Sequence, residues 1–192
     1  MALQYEENGK PGGTDLLNRR IGITGNLNYI YDDKYFADVA YRLDGASQFG
    51  KNKRFAPFYS LGAGWNVHKE KFLRGLEWLD RFKIRASYAV TGAVNFSPYQ
   101  ALATYDYYTD DRYRYWFGTH LMGLANEDLE WQRTYKWNVG FELGLLDNRL
   151  MFTTDLYHNT TDNLLSEMNI PLANGFPSYT ANVGKVRNQG VE

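Results

Sequence analysis

The residues able to do chemistry in this chain are few, and their spacing is poor for it. Asp110-Asp111 stand beside Arg112 and Arg114, and Glu127-Asp128 precede Glu130. Paired carboxylates do acid/base work only when their environments push their pKa values apart, and adjacency in a polar stretch does not do that. These read as solvated loop charges. Lys51, Lys53 and Arg54 could hold a phosphate or lipopolysaccharide, but a basic loop at a rim is the simpler reading. His68, His120 and His158 have no ligand spacing, and there are 0 cysteines, so no thiol nucleophile, thiolate metal site or disulfide framework exists. Gly62-x-Gly64 lacks the third glycine and the following helix of a dinucleotide loop. The sequons at Asn95 and Asn159 matter only in a secreted eukaryotic setting. With 21 Lys plus Arg against 22 Asp plus Glu, the net charge of −1 gives no general attraction to nucleic acid. An enzyme, a metal site and a cofactor are therefore not expected.

One tract stands out. Tyr105, Tyr107, Tyr108, Tyr113, Tyr115, Trp116 and Phe117 crowd together among Asp and Arg residues. Rings with polar tips stack on the C–H faces of sugars while neighbouring charges bond hydroxyls. Tyr, Trp and Arg also favour the cores of protein interfaces. The competing structural role is a membrane-interface girdle, or aromatics packing loop against loop.

The elements that would position these residues alternate with period two. Ile21, Ile23, Leu27, Tyr29 and Tyr31 alternate with Gly22, Thr24, Asn26 and Asn28. The same pattern runs through Tyr35 to Gly45, Tyr59 to Val67, Phe82 to Thr91 and Tyr135 to Leu145, more weakly through Leu150 to Asn159, and again from near Tyr179. Each segment has one apolar face and one polar or small face. Both a soluble β-sandwich and a membrane barrel give that alternation.

Three features favour the barrel. The strands run to roughly 11 to 13 residues, against about 5 to 6 in ordinary sheets. Tyr29, Tyr31, Tyr35, Tyr59 and Trp137 lie toward strand ends, as in an interfacial girdle. Connections also alternate: Asp32 to Lys34 and Asp147-Asn148 are tight, while 48–57, 93–133 and 161–178 are long. The 69–80 connection is the exception on the short side, and its Phe72, Leu73, Leu76, Trp78 and Leu79 suit a turn or two of helix. No run approaches the roughly 18 apolar residues of a spanning helix, and the first residues lack the pattern of a signal peptide.

The run Tyr35-Phe36-Ala37-Asp38-Val39-Ala40-Tyr41-Arg42-Leu43-Asp44-Gly45-Ala46-Ser47 resembles a signature stretch of the SusC/RagA family of TonB-dependent outer-membrane transporters. Similar stretches follow in family order: Phe49 to Ser60, Gly62 to Glu70, Lys83 to Tyr88 with Thr91-Gly92, Pro98 to Ala101, Asn126 to Gln132, Asn138 to Glu142, Asn148 to Leu150 and Asn182 to Glu192. The resemblance covers nearly the whole chain after about residue 14. It implies an all-β fold, a partial antiparallel up-and-down transmembrane barrel wall of about seven strands. Residues 1–192 would then be part of the barrel domain's C-terminal half, truncated at both ends, with 1–14 poorly defined and the plug and TonB box elsewhere. It implies import of an oligosaccharide or peptide through the bacterial outer membrane, and contact with outer-membrane lipid. Its implied partners are a SusD-like surface lipoprotein and the TonB–ExbB–ExbD system, the latter touching residues beyond this chain. A soluble or cell-surface β-sandwich that binds glycans is the alternative.

Overall fold

The computed structural model describes residues 17–49, 53–73, 75–94, 101–113 and 116–192. Its strands are β1 (Arg20–Tyr31), β2 (Tyr35–Ala46), β3 (Phe55–Asn66), β4 (Leu79–Ala93), β5 (Tyr105–Tyr113), β6 (Trp116–Leu121), β7 (Gln132–Leu145), β8 (Leu150–Asn169) and β9 (Ser178–Val191). Seven form one antiparallel sheet in the order β1-β2-β3-β4-β7-β8-β9, and β5 with β6 makes a separate two-stranded hairpin. The all-β, up-and-down wall expected from the sequence is the architecture found. Among the described residues no second sheet covers its apolar face: Ile23, Leu27, Val39, Leu61, Val139, Phe152 and Leu156 all stand exposed.

A strand of 12 residues, such as β1, β2 or β3, is roughly 40 Å long and, tilted near 45°, crosses the apolar band of a membrane. Directly opposed residues share a face, so the register extends each strand's alternation across the sheet. Leu27 opposes Val39, Val39 opposes Leu61, Leu61 opposes Tyr88, and Tyr88 opposes Trp137. One face is thus apolar from β1 to β7. Two aromatic rows border it. Tyr31, Tyr35 and Trp65 stack along one side, with ring centroids 6.5 and 6.1 Å apart. Tyr59, Tyr88 and Trp137 follow one another along the other, at 6.0 and 4.3 Å.

Turn chemistry sets the rims. Asp32 and Asp33 both sit at φ 51, and Lys34 N donates to Tyr31 O, the left-handed pair that suits the twist of a hairpin. Asp147 and Asn148 repeat this at φ 56 and 57. Asp and Asn tolerate this conformation because their short side chains can bond locally. These two turns and the described residues of the 67–78 connection lie on one rim; the described residues of 47–54, 94–131 and 170–177 lie on the other.

Three expectations are corrected. Among its described residues the 67–78 connection forms no α-helix. It opens with a 3-10 turn, Val67–Lys69, and continues as successive three-residue turns, Leu73 N to Glu70 O and Leu76 N to Leu73 O. Gly75 weakens any helix there. The connection after β8 is short, because β8 runs 20 residues to Asn169. Its far half carries Thr160, Thr161 and Asp162, polar on both faces, so no apolar alternation marks it as strand. The long excursion between β4 and β7 is not merely a loop, since it folds the β5–β6 hairpin.

The packed core sits at the long-loop rim. Phe49 stacks on Trp131 at 4.3 Å, and Phe58 meets the same indole edge-on at 5.4 Å. Ala46, Ala56 and Val90 complete the cluster.

Candidate functional site

Two regions can meet a ligand: the polar face of the wall and the outer-rim hairpin. The polar face lines a concavity of about 830 Å³ bordered by Phe36, Asp38, Lys83, Arg85, Lys136 and Asp155. Its charges are organised across three strands. Arg85 on β4, Gly140 on β7 and Asp155 on β8 stand in one register row. A side chain at Gly140 would strike Asp155 Oδ1 and Arg85 Nε. Glycine there lets Arg85 reach over β7 to Asp155, at 2.5 Å. Glu142 then bridges Arg85 at 3.8 Å and Arg81 at 3.6 Å. Gly64 plays the same part for Phe36, whose ring lies over it while Lys83 Nζ sits 4.6 Å from the ring centroid. The result is a polar, cross-braced inner surface.

The aromatic tract is brought together only in part. Tyr105 and Tyr107 share one face of β5, each 65% exposed, opposite Leu121 and Thr119 of β6. Tyr113 pairs with Trp116 and Arg112 with Phe117 in the backbone register, so the two halves of the tract fold back side by side. The backbones of Tyr108, Tyr113, Trp116 and Phe117 belong to the hairpin; their side chains, and Tyr115 altogether, lie outside the described residues.

Other candidates take structural roles. His158 bonds Gln189 at 3.0 Å, and His68 Nδ1 meets the backbone of Phe82. Lys53 pairs with Glu130 at 3.5 Å, while Lys51 lies outside the described residues. Glu130 is not a freely solvated loop charge. Asn182 Nδ2 donates to the carbonyls of Glu130 and Asn163, its Oδ1 accepts from Glu130 N, and Asn163 Nδ2 donates to Glu130 Oε1. Asn163, at φ 60, marks the β8 bulge that makes this possible. The network ties 126–131 to β8 and β9. Sequence reading missed both this network and the Arg85–Asp155 brace. A glycine inside the polar column of a strand was the available signal for the brace. At the turn rim, Tyr35 and Trp65 donate to Glu70 Oε1 at 2.5 and 3.3 Å. The Tyr35 hydrogen bond, helped by that from Trp65, holds the Glu70 carboxyl below its ordinary range.

The family model described as TonB dependent receptor-like, beta-barrel matches residues 8–192. The chain belongs to this family. Among curated relatives, TonB-dependent receptor P39 of Formosa agariphila is 34% identical over 94% of this chain and 17% of its own length. TonB-dependent receptor SusC of Bacteroides thetaiotaomicron is 32% identical over 91% of this chain and 18% of its own. Among solved structures, the RagAB peptide importer in its open-open state superposes with TM-score 0.83 at 29% identity, covering 98% of this chain and 21% of that one. The chain thus spans about a fifth of the relatives it matches. In a TonB-dependent receptor barrel the exposed apolar face is the one that meets outer-membrane lipid, and the braced polar face lines the lumen.

Proposed function

We propose that this chain is part of the barrel wall of an energy-coupled importer that carries oligosaccharides or peptides across the outer membrane. It would work with a SusD-like surface lipoprotein and draw energy through TonB–ExbB–ExbD, contacted outside this chain. The observation that carries the reading is the two-faced sheet: an apolar outer face bordered by aromatic rows, and a polar inner face whose charges are tied to one another. A lumen lined by mutually paired charges lets polar cargo pass without a single fixed charge trapping it. Similarity to the RagAB peptide importer supports import, and similarity to TonB-dependent receptor SusC supports TonB coupling; the lipoprotein partner rests on the family resemblance.

In this reading the β5–β6 hairpin stands on the extracellular rim, where loops meet cargo or lid. Tyr105 and Tyr107 present their rings to solvent there. The test is the triple replacement of Tyr113, Tyr115 and Trp116 by Ala in the intact transporter, read as uptake and lipoprotein co-purification at matched abundance. Since one aromatic anchor contributes about 2 kcal/mol, at least one readout should fall tenfold or more. Wild-type values for both would assign the tract to loop packing, and loss of assembled barrel would assign it to the wall.

A further inference from the structure

The lipid-facing surface changes character abruptly at one place. On β8 the outward column reads Leu150, Phe152, Thr154, Leu156, and then His158, Thr160, Asp162. Facing it on β9, Val191 opposes Leu156, but the next outward residues are Gln189, Arg187 and Lys185, opposite His158, Thr160 and Asp162. These belong to the outer face, because His158 directly opposes Trp137, which is 55% exposed on the upper aromatic row. Membrane-interface Trp marks the headgroup level, and the strands climb past it. In a barrel wall, polar side chains on the outward face just above such a Trp are placed at the level of the lipid headgroups.

The group is also basic. Lys185 and Arg187 are both exposed, and Arg133 stands in the same register row as Asp162 and Lys185. Asp162 is the one carboxylate among them, bonded to Lys185 at 3.1 Å. Among the described residues no carboxylate pairs with Arg187. His158 and Gln189, joined at 3.0 Å, add further hydrogen-bonding groups at the lower edge of the cluster. Two or three cations on a rigid strand pair, just above an interfacial Trp, form a surface for an anion held at fixed height. A phosphate on a lipid headgroup is such an anion.

We propose that the outward face of β8–β9 above Trp137 binds the phosphorylated headgroup of an outer-leaflet lipid through Lys185 and Arg187. The site is separate from the lumen and from the aromatic hairpin, and it stands whether or not the import reading holds. Such a contact would fix the height and tilt of the wall in the bilayer.

The experiment titrates bisphosphorylated lipid A into the detergent-solubilised intact protein and follows bound lipid by native mass spectrometry. The paired variant Lys185→Gln, Arg187→Gln should bind about 30-fold more weakly, from the typical contribution of two cations at a membrane surface. The charge-matched luminal pair Lys83→Gln, Lys136→Gln should bind as wild type does. For the wild-type protein, the same lipid without its phosphates should bind at least tenfold more weakly, and inorganic phosphate alone should not compete at equal concentration. That wild-type comparison decides the matter even if the outer pair fails to assemble. Equal weakening by both variant pairs, or equal binding of the phosphate-free lipid, would overturn the site. So would competition by inorganic phosphate, since it would show a free-anion site instead.

Discussion

The lower wall and the upper rim of this sheet are held together by different forces. Between the turn rim and mid-sheet, almost every outward side chain is exposed to what would be lipid, and the inner side chains face an open concavity. Cohesion there comes from continuous backbone ladders and from cross-strand braces such as Arg85–Asp155. At the upper rim, Phe49, Phe58, Leu129 and Trp131 are withdrawn from solvent, and an asparagine network holds 126–131 in place. A membrane wall needs no packed interior because lipid covers one face and its ladders leave no backbone group unpaired. Loops above the membrane have neither, so they must build a small core of their own.

The largest test of that contrast is Trp131→Ala. Removing a buried aromatic of this size should cost about 3–5 kcal/mol, concentrated at the rim. Hydrogen exchange of the folded barrel should quicken across 47–49 and 126–131 and stay unchanged in the middle of β2 and β3. Equal loss in both regions would erase the distinction. Next is a pair of neighbours on β1. Leu27→Arg, mid-strand on the lipid face, should cost about 2–4 kcal/mol in lipid, whereas Asn26→Arg on the luminal face should stay within about 0.5 kcal/mol. Refolding titrations into lipid vesicles measure both.

Gly140→Val sharpens the role of the brace. The new side chain overlaps both Arg85 and Asp155, and the strain should cost about 1–3 kcal/mol. Adding Asp155→Gly should restore part of the loss, and a cycle without coupling would show that the glycine serves something other than this pair. The smallest effect is at the turn rim. The Glu70 carboxyl is held low in the folded state, chiefly by the Tyr35 hydroxyl. Its contribution is therefore present above the carboxyl's unfolded value and lost as pH falls through the folded one. Glu70→Gln should lower stability slightly at neutral pH, and the two proteins should converge as pH falls through the folded value; a difference that does not change with pH would discount the contact.

The wall was legible in the sequence because period-two alternation needs no tertiary information. Ile21 through Tyr31 and Tyr135 through Leu145 declare their faces residue by residue, and Asp32-Asp33 and Asp147-Asn148 declare the turns. The upper half of β8 was not legible. Around Thr160 neither face of the strand is apolar, and Thr160 to Asn163 look like a loop. The hairpin in the excursion was hidden for the same reason, since Tyr105 to Tyr113 mixes aromatic and acidic residues without a dry face. Long-range partners were invisible in principle. That Glu130 would meet Asn163 and Asn182 depends on a bulge, and that Arg85 would meet Asp155 depends on register across a strand lying between them in the sheet. The aromatic tract was found by composition alone, and composition carries no information about where each ring points.

The feet of the excursion between β4 and β7 have a consequence for how such a wall can diversify. Ala93 and Gln132 are register partners, so the chain leaves and re-enters the sheet at adjacent points. Whatever lies between them is an insert whose ends are already brought together by fourteen-residue-scale ladders on both strands. Each doubling of a flexible insert's length costs only about 0.6 kcal/mol in closure entropy. The β5–β6 hairpin can therefore be lengthened, shortened or exchanged during evolution while β4 and β7 keep their pairing. Under the proposed reading, in which this hairpin meets cargo or lid, recognition changes by cassette while the wall beneath it stays as it is.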